Sequence, residues 1–124
     1  MEDRYKIAVR AATRFMADQS SEREGRYMFA YTITIENLGT VAAQLVSRHW
    51  IITDGDKVQE VRGPGVIGNQ PLLKPGDRFE YTSGAQLATP VGTMRGSYQM
   101  MAVDGTSFDA PIPQFTLAAP RTLH

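Results

Sequence analysis

Gly63-Pro64-Gly65-Val66-Ile67-Gly68 has the GxGxxG spacing, and the residues on its C-terminal side decide the fold. The dinucleotide-binding form of this motif needs a strand before the glycines and a helix opening on the third one, so that the helix N-terminus faces a pyrophosphate. Here Pro71 interrupts any such helix, and Pro75-Gly76 stops anything begun at Leu72 within one turn. Pro64 also removes one N–H from inside the loop. The stretch therefore reads as a turn that needs positive φ and close backbone approach.

Outward from this loop the chain alternates with period two. Residues 5–15 put Tyr5, Ile7, Val9, Ala11 and Phe15 on one face and Lys6, Arg10 and Arg14 on the other, the pattern of a half-buried strand. Residues 16–25 are polar and read as a loop. Residues 27–36 alternate strictly through Tyr27, Phe29, Tyr31, Ile33 and Ile35, and Asn37-Leu38-Gly39 ends them. Residues 44–53 place Val46, Trp50 and Ile52 on one face and Leu45, His49 and Ile51 on the other. Asp54-Gly55 turns into a short strand over 58–62, where the three-residue step from Val58 to Val61 suits a bulge or an edge.

Beyond the loop, Leu72 and Leu73 are expected as buried anchors before a strand at 78–83 with Phe79 and Tyr81 in the core. A loop at 89–92 precedes a strand at 96–103, and Asp104-Gly105 turns it into a last strand at 107–117. Pro111 and Pro113 lack the N–H that a central strand needs, which assigns them to an edge or to a place where the strand changes partner. Strands throughout, short turns and no helical period predict an all-β chain, an antiparallel sandwich of two sheets.

With 124 residues the chain suits one domain spanning 1–124, its core at about 4–118 and its tail, 118–124, loose. Thirteen basic and thirteen acidic residues cancel, so nothing attracts it generally to nucleic acid or an anionic membrane. The absence of cysteine excludes disulfides and thiol chemistry and fits the cytoplasm. The charged start and the lack of a long apolar run argue against a secretory signal or a membrane span.

An ordered set of residues then carries a family likeness. It comprises Tyr31-x-Ile33-x-Ile35-x-Asn37, His49-Trp50-Ile51-Ile52, the glycine motif at 63–68, Gln70-Pro71, Leu73-x-Pro75-Gly76, Phe79-x-Tyr81-x-Ser83-Gly84, Gly92-x-Met94-x-Gly96-x-Tyr98, and Phe108 with Ile112-Pro113-x-Phe115-x-Leu117. Nearly the whole chain thereby resembles the ApaG family of small bacterial proteins. The resemblance implies an immunoglobulin-like, fibronectin type III-like sandwich. It also implies kinship with interaction modules of larger eukaryotic proteins, gene proximity to a diadenosine tetraphosphate hydrolase, and a tie to cobalt and magnesium handling. Fold kinship alone conveys no activity.

The candidate site residues are few. His49 stands without a nucleophile or orienting partner nearby in sequence, and reads as structural. Trp50 reads as core packing. Asp54-Gly55-Asp56 lacks the oxygen ligands of a calcium loop and reads as a hairpin turn. Asp77, Glu80, Asp104 and Asp109 are too scattered to nominate an acid/base pair, and Met94, Met100 and Met101 read as core or surface filler. Lys6, Arg10 and Arg14 suit an edge strand guarded by charge.

Arg62 abuts the glycine loop and Lys74 lies on its far side, so Gly63, Gly65 and Gly68 with these two cations form the candidate ligand site. The expected function is a non-enzymatic binding module without metal or cofactor. Its glycine loop would contact a protein partner or a phosphate-containing metabolite such as pyrophosphate. The alternatives are a nucleoside polyphosphate-binding protein or hydrolase, and a homodimer paired through strand edges.

Overall fold

Period-two alternation produces strands along almost the entire chain in the computed structural model, which describes residues 4–120. The strands are β1 Ile7–Phe15, β2 Tyr27–Asn37, β3 Ala43–Asp54, β4 Lys57–Pro64, β5 Leu72–Leu73, β6 Arg78–Leu87, β7 Val91–Ala102 and β8 Ser107–Ala118, with one 3₁₀ turn at Ala17–Gln19. They build an antiparallel sandwich of the immunoglobulin-like, fibronectin type III-like kind. One sheet has the order β1-β2-β6; the other runs β4-β3-β7-β8, with β5 also on β3. No helix among the described residues is long and apolar enough to cross a membrane.

Between the sheets, Phe29, Ile33 and Ile35 of β2 meet Leu45, Trp50, Tyr98, Met100 and Leu117 of the larger sheet, all buried. Each such side chain contributes roughly 1.5–3 kcal/mol by leaving water. Trp50 centres the cluster, with ring centroids 5.6 Å from Tyr31, 5.9 Å from Phe115 and 6.4 Å from Tyr98, all edge-on. The Tyr81 and Tyr98 hydroxyls meet at 2.6 Å across the core and join the two sheets.

Several expectations need correction. Trp50 and Val46 do not share a face. Register against β7 shifts between Leu45 and Ser47, so Val46 is an extra, bulged residue and Leu45 shares the inner side with Trp50. A second shift, between Met94 and Gly96 in β7, falls in β8 around Pro113, where the partner steps from Phe115 to Ile112. Leu72 is not a buried anchor: β5 pairs only two residues with β3, and alternation turns Leu73 inward and leaves Leu72 half exposed.

The first strand starts at Ile7 rather than Tyr5, whose ring instead lies 5.3 Å from Phe108 while its hydroxyl donates to Asp104 at 2.6 Å. The polar segment 16–25 contains the 3₁₀ turn and a bridge from Ser21 to Arg26. β7 begins at Val91, inside the expected loop, because Asp54 accepts from the Ala88 and Thr89 amides and from Thr89 Oγ1 and so squares off the preceding corner. β6 runs on to Leu87, and β4 has an unbroken register into Gly63-Pro64. At the tail, Ala118 ends β8 and the Ala119 amide donates to Pro90; residues 121–124 lie outside the described residues.

Candidate functional site

The glycine loop is fastened to the bulge in β3. The bulge turns the Val46 carbonyl out of the regular ladder, where it accepts from the Gly65 amide and from Gln70 Nε2, both at 2.9 Å. Val66 and Asn69 then exchange two backbone hydrogen bonds of 2.8 Å, closing a two-residue turn at Ile67-Gly68. Both central residues have positive φ, 41° and 80°, as a type I′ turn requires. Gly65, at φ 55°, is forced twice over, because a Cβ there would also overlap the Asn69 carbonyl. Val66 is buried, whereas Ile67 is 57% exposed at the tip.

Arg48, which carried no weight in the sequence, holds the loop from within. It pairs in register with Tyr98 and Gly63, and its guanidinium lies where a Gly63 side chain would be, 2.8 Å from the position of a Cβ. Its Nη1 donates to the Pro64 and Gly65 carbonyls at 2.8 and 2.9 Å. The glycine at 63 is thus explained by an arginine, a long-range pairing that spacing alone does not encode. Arg48, Tyr31, Trp50, Val66, Ile67, Tyr81 and Ser83 line a crevice of about 260 Å³ between the two sheets.

Three of the loop amides, those of Gly65, Val66 and Asn69, donate within the protein. Arg62 and Lys74 do not converge. Arg62 pairs with His49 and Leu73 with Ala43, six residues away along β3, so Lys74 starts about 20 Å from Arg62 at the usual rise per strand residue. Arg62 lies instead on the outer face of the larger sheet, 3.6 Å from Glu60.

On that face a cleft of about 640 Å³ is lined by Arg62, His49, Ser97, Gln99 and Asp109 among others. Glu60 accepts from His49 Nε2 at 2.7 Å, and this bond chiefly holds the Glu60 carboxyl below its ordinary range. Ser97 faces His49 in register, yet its Oγ accepts from Gln99 Nε2 at 3.0 Å rather than engaging the imidazole. Among the described residues no three His, Cys, Asp or Glu side chains gather as a metal cage would need.

Comparison with known proteins closes on one group. The ApaG domain model matches residues 17–102. The chain is 66% identical over 122 residues to the protein ApaG of Thiobacillus denitrificans, covering 98% of this chain and 96% of that one. Against the protein ApaG of Nitrosospira multiformis identity is 62% over 122 residues, with the same coverage. A crystallised ApaA protein of Bordetella pertussis superimposes with a TM-score of 0.93 at 52% identity, covering 98% of this chain and all of that one.

Proposed function

The chain belongs to the ApaG family, and from that membership we propose that it is a non-enzymatic binding module whose glycine loop presents Ile67 to a partner protein. One observation carries this reading: a β-branched, exposed residue held at φ 41° in the first central position of a type I′ turn. Asn or Gly suits that position, whereas a β-branched residue there costs about 1–2 kcal/mol. Strain kept at an exposed apolar tip offers the free protein little in return and points to a bound state. The tip is also preorganised by Arg48, Val46 and Asn69, which lowers the ordering cost of docking.

A phosphate-containing metabolite is less well supported, since the Gly65, Val66 and Asn69 amides already have carbonyl partners and the two flanking cations are far apart. Any connection to cobalt and magnesium handling then runs through the docked partner, in the cytoplasm that a cysteine-free chain suits.

Ile67→Gly tests the reading. It should leave stability equal or raised by about 1 kcal/mol, because glycine relieves the strain and loses mainly exposed surface. Proteins captured by the native chain should fall away. Undiminished capture of the same set would overturn the proposal. A parallel pyrophosphate titration separates the metabolite reading, which requires submillimolar amide shifts over residues 63–68.

A further inference from the structure

The sandwich has four lateral edges, and three are guarded. β1 carries Arg10 and Arg14; β4 carries Lys57, Glu60 and Arg62 and ends at Pro64; β8 carries Asp109, Pro111 and Pro113 and is broken by its bulge. Such charges, prolines and bulges are what keep an edge from accepting a further strand. The fourth edge is β6, whose one neighbour is β2. After Glu80 its run Tyr81-Thr82-Ser83-Gly84-Ala85-Gln86-Leu87 has neither charge nor proline. Among the described residues no hydrogen bond outside the β2 ladder engages the backbone of this run.

The two seams of the sandwich differ in the same sense. Tyr5 closes the β1/β8 side through Phe108 and Asp104. On the β6 side the crevice opens between Tyr81 and Ser83 of one sheet and the Val66-Ile67 turn of the other, with Arg48 inside it. Arg48 donates from Nη1 to two carbonyls. Among the described residues no carboxylate lies within ion-pair reach of it. A half-buried guanidinium whose Nε and Nη2 donate to no group among the described residues is a site for a carboxylate.

We infer that the β6 edge accepts an extended peptide segment of the partner as an added antiparallel strand, and that one acidic side chain of this segment reaches Arg48 in the crevice beneath Ile67. Main-chain pairing with β6 supplies affinity, and alternate side chains supply selectivity. An acidic residue is singled out because it alone neutralises Arg48. The inference rests on the docking role of Ile67, which forms one wall of the crevice.

The test uses two end-blocked threonine/valine peptides of roughly seven residues, the length of a typical strand. One has a central glutamate and the other a central glutamine. Each is titrated into the isotope-labelled full chain. The glutamate peptide should shift the amides of residues 81–87 and 67 and the Arg48 Nε–H, and bind roughly tenfold more tightly than the glutamine peptide. Arg48→Met should erase that difference. If this variant fails to fold, the two peptides on the native chain still decide. Equal affinities, or shifts confined to other edges, would overturn the inference. So would β6 amides whose exchange protection disappears on dilution, since a second copy would then occupy the edge. Absence of any peptide response at millimolar concentration would also overturn it, whereas failure of the docking role itself is read separately, from Ile67→Gly capture.

Discussion

Removing the Tyr98 hydroxyl should reveal how the two sheets are joined at their centre. Tyr98 is fully buried and Tyr81 nearly so, and their oxygens lie 2.6 Å apart. Tyr98→Phe keeps the ring contact with Trp50 but leaves the Tyr81 oxygen facing a hydrocarbon edge, an orphaned buried group costing about 1–3 kcal/mol. Tyr81→Phe orphans the Tyr98 hydroxyl at a similar cost. The double variant leaves nothing orphaned and loses only the net worth of one hydrogen bond, roughly 1 kcal/mol. Urea denaturation of the four proteins should therefore give a double variant no less stable than the weaker single, with a coupling of about 1–5 kcal/mol. If the two single effects simply add, the hydroxyls are not a mutually dependent pair and the reasoning fails.

The same pair predicts an alkaline limit. Burial pushes the Tyr81 phenol from 10.0 up to about 12, and burial pushes Tyr98 up as well. The folded state thus holds these protons more tightly than the unfolded chain, so their stabilisation is complete below pH 10 and declines as pH rises from 10 toward 12. Thermal melts across this window should show a shallower decline for the doubly phenylalanine-substituted protein; an identical decline would refute the assignment. Alanine at the loop glycines should rank by geometry in urea melts. Gly65→Ala, with positive φ and a backbone overlap, should cost about 3 kcal/mol; Gly63→Ala, which displaces the Arg48 fork, about 2; and Gly68→Ala, with open space around it, about 1. A Gly68 effect as large as that at Gly65 would contradict the loop geometry.

Alternation makes β2 and β8 legible from residue types alone, because their buried positions repeat every second residue between bulges. It fails at Val46, since a bulge is one residue inserted into one strand and leaves no local sign in composition. Arg48 escapes notice for a related reason: its significance lies in Gly63, fifteen positions later in the chain, brought alongside only by β3–β4 pairing. Arg62 and Lys74 flank one loop in the sequence and not in space, because proximity along the chain ignores strand rise. Asn37, read as a terminator, is also buried, donating to the Val41 and Leu73 carbonyls while its side-chain oxygen accepts from the Gly39 amide. A turn residue and a tether look alike until the segments it ties are adjacent.

The kink at Val46 makes that position tolerant in identity and intolerant in number. Its side chain is partly in solvent, so other residue types fit there and keep the same backbone carbonyl, yet deleting it would join Leu45 to Ser47 in regular pairing with Met100 and Gln99. Trp50 and Arg48 would keep their inward places, but the carbonyl that accepts from Gly65 and Gln70 would be gone, and the glycine loop would lose its fastening to β3. A one-codon deletion here should therefore be far more damaging than any single replacement at the same site.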